Sequence, residues 1–112
     1  MYKIFISEHF KKQLKVLSKK DQALKTTLQN TLNQFHKEHV IAIGQGIYKL
    51  RLKKNGQGKS GGYRLYVVVL EVDGILAPIC IYAKSQKALL SKKDLDTCMD
   101  VLVGELEEII KK

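Results

Sequence analysis

YKLRLKKNGQGKSGGYRLYVVVL, residues 48–70, reads as two strands joined by a turn rich in glycine, serine and asparagine. In the first, Tyr48–Lys53, the apolar Tyr48, Leu50 and Leu52 alternate with Lys49, Arg51 and Lys53. Successive side chains of a strand point to opposite faces, so the three cations share one face and the apolar three the other. The connecting segment carries Lys54 and Lys59 among Asn55, Gly56, Gly58, Gly61 and Gly62, residue types that permit tight backbone paths. The second strand, Tyr63–Leu70, opens on Tyr63-Arg64 and continues as an apolar run. Between His39 and Leu70 there are six Lys or Arg and no Asp or Glu, so the sheet built from these strands presents a positive face suited to an anion.

The rest of the chain supports that hairpin. Tyr2–Ser7 alternates as a short strand, and Ser7 is placed as the N-cap of a helix running to about Leu17. Ser18-Lys19-Lys20-Asp21 resembles a capping box opening a second helix, with Leu24, Leu28, Leu32 and Phe35 along one stripe. The outer face of this helical hairpin carries Lys11, Lys12, Lys15, Lys19, Lys20 and Lys25, read as a solvated surface. A loop with Gly44 and Gly46 leads into the central hairpin. Beyond it, Glu71-Val72-Asp73-Gly74 is a hairpin turn into a strand over Ile75–Lys84. That strand is apolar on both faces, which calls for cover on both sides. Pro78 cannot donate to a ladder, so it requires an edge or a bulge. A loop over Lys84–Leu90 follows. Ser91 then caps a last helix with Leu95, Cys98, Met99, Leu102, Leu106, Ile109 and Ile110 as its stripe. The order β-α-α-β-β-β-α describes a single α+β domain over residues 1–112. Its four-stranded, mostly antiparallel sheet carries the helical hairpin on one face, and the other face is partly open or partly covered by the C-terminal helix.

Composition narrows the function. The 112 residues hold 20 Lys+Arg against 11 Asp+Glu, a net charge of +9 that favours polyanionic partners. Cys80 and Cys98 form no CxxC and sit in apolar patterns, as reduced buried thiols of a cytoplasmic protein do. The opening MYKIFISEHF lacks a signal peptide's apolar core, and no run is long enough for a membrane span. Gly58-Lys59-Ser60 is not a phosphate-binding P-loop, since Lys53 stands where its first glycine belongs and a strand follows where a helix is needed. His9, His36 and His39 show no metal-ligand spacing and read as surface or boundary histidines; neither a Cys/His nor a Ser/His/Asp arrangement stands out. What remains is chemistry by cations and phenols. Arg64 and Tyr66 share one strand face, Tyr82 and Lys84 another, and if the strands are neighbours these converge with Lys49 and Arg51 on a patch fit for a phosphodiester. The competing reading is an ordinary sheet edge with solubilising cations.

YKLRL (48–52), GKSGGYRLYVV (58–68), IYAKSQKALLSKKDL (81–95) and the C-terminal helix together resemble the RelE/HigB-type toxins of bacterial toxin–antitoxin modules, across nearly the whole chain. The most specific part is GKSGGYR followed by IYAK. The resemblance implies a ribosome-dependent mRNA interferase that cleaves mRNA in the A site. The reaction would be metal- and cofactor-independent attack of the ribose 2′-OH on the adjacent phosphate, leaving a 2′,3′-cyclic phosphate. It implies that Arg64 stabilises charge on the scissile phosphate. Lys49 and Arg51 would divide deprotonation of the 2′-OH and phosphate holding. Lys84 and Lys87 would serve the leaving oxygen, while Lys53, Lys54, Lys59, Tyr66 and Tyr82 would contact RNA. Where some members have a further Tyr or His near the last helix, this chain reads Ala88-Leu89-Leu90-Ser91, leaving the acid role to Lys84 or Lys87. The implied partners are the ribosome, mRNA and a cognate antitoxin of the helix-turn-helix DNA-binding kind. The alternatives are a ParE-like inhibitor of DNA gyrase with the same fold, or a catalytically inactive module binding RNA or protein.

Overall fold

The structure, a computed structural model, describes residues 2–53, 62–86 and 90–110. Residues 54–61 and 87–89 lie outside it, and with them most of the central turn and Lys54, Lys59 and Lys87. In chain order the elements are β1 (Lys3–Ile4), α1 (Glu8–Ser18), α2 (Leu24–Asn33), a 3-10 turn (Lys37–His39), β2 (Ile41–Gly44), β3 (Ile47–Leu52), β4 (Tyr63–Leu70), β5 (Ile75–Ala83) and α3 (Lys92–Ile110). The strands form one sheet in the order β1-β5-β4-β3-β2. All neighbours are antiparallel except β1, which runs parallel to β5. The α+β class, the helical hairpin and the C-terminal helix are as the patterning indicates.

The sheet has five strands rather than four. The residues expected in a loop before β3 form β2, an edge strand whose four residues are all exposed. Gly44, Gln45 and Gly46 all have positive φ, which turns the chain tightly into β3. At Gly46 a Cβ would stand 3.0 Å from the carbonyl oxygen of Val69, and the Gly46 carbonyl itself accepts from Val69 N–H at 2.8 Å. Only glycine lets the two backbones approach that closely.

The two faces of the sheet carry separate cores. Leu50, Leu52, Tyr63, Leu65, Val67 and Ile81 face the helical hairpin, where Phe10, Leu24, Leu28, Leu32 and Phe35 complete one cluster. Ile47, Tyr66, Val68, Ala77, Ile79, Cys80 and Tyr82 face α3, which contributes the fully buried Leu102. β5 is therefore covered on both sides, as its doubly apolar pattern requires. Pro78 falls at an irregularity in the β4–β5 ladder, where Tyr66 pairs with Cys80 and Val67 already with Pro78. The bulge absorbs the missing donor. Beyond the short β1, Gln13 of α1 takes over at the outer edge of β5, its Oε1 accepting from Ile81 N–H at 3.2 Å.

Caps fix the helix ends. Ser7 Oγ accepts from Phe10 N–H at 3.0 Å, and Ser91 Oγ accepts from Asp94 N–H at 3.1 Å. The amides of Glu8 and His9 donate to the Glu105 carboxylate at 2.7 and 3.2 Å, so α3 supplies a second cap to α1. The expected capping box at Ser18 does not form, and α2 starts later, at Leu24. Asp21 instead accepts from Ala23 N–H at 3.1 Å and from the Tyr63 hydroxyl at 3.0 Å, tying the inter-helix turn to the start of β4.

Asp21 is buried, so its carboxylate depends on those donors. Tyr63→Phe removes one of them and is expected to cost roughly 1–3 kcal/mol in chemical denaturation. The tyrosine also couples stability to alkaline pH. Burial, then the bond to Asp21, pushes its hydroxyl up to about 12 from the usual 10.0. The folded state thus holds the proton more tightly, and this contribution is complete below pH 10 and lost as pH rises towards 12. Denaturation midpoints should fall from about pH 9 to about pH 11, less steeply in Tyr63→Phe than in the parent.

Candidate active site

Ladder register decides which side chains stand together. Arg51, Arg64 and Tyr82 are opposite one another on β3, β4 and β5, and two rungs further in, on the same face, stand Lys49, Tyr66 and Cys80. Because residues on one rung share a face, Lys49, Arg51, Arg64, Tyr66 and Tyr82 all lie on the side that α3 partly covers. The three cations and two phenols that the strand patterns singled out are thus brought together near the end of the sheet where β3 finishes and β4 begins. Like charges directly opposite one another repel. The Arg51–Arg64 pairing therefore costs stability unless an anion sits between them.

Arg64 carries the most specific signal. Its Nε is buried and is the one buried side-chain polar atom among the described residues with no hydrogen-bond partner. A buried guanidinium donor without an acceptor is costly, and a ligand oxygen would satisfy it. Arg51 and Lys53 are exposed and Lys49 half-buried, so the cationic row grades from solvent inward. Lys84 is exposed just after β5; its N–H donates to Gly62 carbonyl at 3.0 Å, one step beyond the Tyr63–Ala83 pair. It therefore stands at the same end of the sheet as Arg51 and Arg64.

The tyrosines stand apart from the cations in exposure. Tyr66 and Tyr82 are 3% and 8% exposed, with rings stacked at 6.2 Å and an angle of 24°. Their hydroxyls lie 3.4 Å apart. Burial and then the Tyr66 hydroxyl push the Tyr82 phenol well above its ordinary range, with the Arg64 charge acting the other way. Tyr82 is thus a neutral group beside Arg64, and the buried, stacked pair leaves little ring surface for a base.

One grouping escapes strand patterning. Among the described residues no cluster of three or more His, Cys, Asp or Glu has metal-binding geometry. A Cys/His arrangement does exist, however, where none was expected. Cys98 of α3 stands beside Cys80 and beside His9 of α1, and both neighbours lower its thiol. The lysines on the helical hairpin, Lys11, Lys12, Lys15, Lys19, Lys20 and Lys25, are all exposed, as a solvated face should be. No described helix is long and apolar enough to cross a membrane.

A family model described as the RelE toxin of the RelE/RelB toxin–antitoxin system matches residues 2–107. No curated protein matches the chain.

Proposed function

From its membership of the RelE toxin family, to which the chain belongs over nearly its full length, we propose that it is an mRNA interferase acting on the translating ribosome and held in check by a cognate antitoxin. The observation that carries this reading is the unpartnered, buried Nε of Arg64 on the same rung as Arg51. Such a pair fits a phosphodiester whose oxygens satisfy the donor and neutralise the repulsion. In the proposed reaction Arg64 binds the scissile phosphate and stabilises the charge that builds on it as the ribose 2′-OH attacks. Lys49 and Arg51, flanking it on β3, share the removal of the 2′-OH proton and the holding of the phosphate. Lys84, at the same end of the sheet, serves the leaving oxygen, with Lys87 as its companion outside the described residues. Lys53, with Lys54 and Lys59, extends the positive surface along the RNA backbone. Tyr66 and Tyr82 act by bracing Arg64. The antitoxin would act by covering this face or by loosening α3 beside it.

Primer extension on messages from cells induced for the full chain tests the reading. Discrete cuts within codons that disappear when translation is blocked are expected. Intact messages with arrested DNA replication would point instead to gyrase. Because the groups assigned to the reaction are lysines and arginines, toxin stripped with chelator should cut on programmed ribosomes, kept in their usual magnesium, as fast as untreated toxin. Cleavage restored only by zinc or manganese would overturn that assignment.

A further inference from the structure

The seam between α3 and β5 holds a second reactive grouping that the proposed cleavage does not use. Cys80 points from β5 into the α3-side core and is 5% exposed, while Cys98 faces it from α3 and is half-buried. Both are thiols rather than a disulfide, and they pack together in one core cluster, with Cys80 acting on the Cys98 thiol. His9 of α1 is the second partner of Cys98, and Gln13 Nε2 approaches Cys80 Sγ at 3.9 Å. The Cys80 thiol, then the His9 imidazole, hold the Cys98 thiol down at about 6, against the opposing effects of burial and of Asp94. One cysteine is therefore reachable and readily ionised, and the other is buried within its reach. That is the arrangement in which a first oxidation is resolved internally instead of running on to higher oxides.

We propose that Cys98 and Cys80 are a peroxide-reactive dithiol whose oxidation to a disulfide clamps α3 onto β5. A hydroperoxide oxygen is attacked by Cys98 sulfur. The S–O bond forms, the O–O bond breaks, and the leaving oxygen takes the Cys98 proton as water or alcohol. Cys98 is then a sulfenic acid, oxidised by two electrons. Cys80 sulfur attacks it, the S–S bond replaces the S–O bond, and the departing hydroxide takes the Cys80 proton as a second water. Two thiols and one hydroperoxide thus give one disulfide. The clamp joins the helix to the strand whose Cys80 is the rung neighbour of Tyr66. It is a property of this seam and holds whether or not the chain cuts RNA.

Hydrogen peroxide and the purified full chain test it. Intact mass should fall by two hydrogens per chain, reversibly with dithiothreitol, and a non-reducing digest should yield the peptide linking Cys80 to Cys98. The oxidised protein should melt roughly 10 °C higher, since the bridge restricts the unfolded chain. Amides of α3 should also exchange more slowly. Cys98→Ser, at a half-exposed position, should abolish both the mass change and the shift in melting. Oxidation stopping at Cys98 sulfinic acid with Cys80 still alkylatable would overturn the proposal. So would chains linked through Cys98, or an internal bridge that left melting and exchange unchanged.

Discussion

Arg64→Ala is expected to lower RNA cleavage on programmed ribosomes by roughly 10²–10³ while the protein stays folded, the scale of loss typical when one preorganised donor to a developing charge is removed. The structure explains why folding should survive. Arg64 is only half-buried, its Nε has no partner to strand, and its rung neighbour Arg51 is a like charge. Removing it relieves an unsatisfied donor and a repulsion, at the cost of packing by its stem. Arg64→Lys separates charge from geometry. It keeps the charge but loses the planar fork, so it should recover only part of the activity. Single-turnover cleavage with thermal melts of all three proteins is the measurement. A folded Arg64→Ala protein that cuts at the parent rate would remove Arg64 from the reaction.

Leu102→Ala should be the most damaging change on α3, costing about 2–5 kcal/mol out of a total of about 5–15 kcal/mol for a domain of this size. Leu102 is 1% exposed and is the α3 residue driven deepest into the core, with Leu95, Cys98, Met99 and Leu106 only partly buried around it. The loss combines removed apolar contact with a cavity that the sheet side, packed with Ile79, Tyr66 and Val68, cannot readily fill. It also reaches α1, because α3 positions Glu105 against the Glu8 and His9 amides. Urea denaturation should show the drop, and hydrogen exchange should show α3 opening first. Its neighbour Val103 is 40% exposed, and Val103→Ala should stay within about 0.5 kcal/mol of the parent. Equal losses at the two positions would mean that α3 is not held through Leu102.

Much of this architecture is legible along the chain because it depends on local periodicity. Alternation in Tyr48–Lys53 puts Lys49 and Arg51 on one face whatever the strand pairs with, and β3 and β4 appear within a residue of where that pattern places them. The same holds for the α3 stripe from Leu95 to Leu106, although Ile109, read with it, is exposed, for the caps at Ser7 and Ser91, and for Pro78, whose need for an edge or a bulge is met by a bulge. β2 was missed because it has nothing periodic to bury. Ile41 and Ile43 are exposed, and the strand exists because the free edge of β3 accepts it. The start of α2 was misplaced for a related reason. By local pattern Asp21 reads as a cap, whereas its carboxylate is also claimed by Tyr63, 42 residues away.

The remaining features belong to register and packing, which no local pattern encodes. A slip of one residue between β4 and β5 would reverse every side chain of one strand and part Arg64 from Tyr82, yet leave both strands just as strand-like in sequence. Composition and alternation by themselves determined that this chain is basic, α+β, and cationic on one sheet face. Only the tertiary structure decided that Tyr66 and Tyr82 are buried against each other, that Arg64 Nε is left without an acceptor, and that His9, Cys80 and Cys98 meet at one seam. Those meetings join residues from α1, β4, β5 and α3, and the two cores on opposite faces of the sheet bring such distant segments into contact.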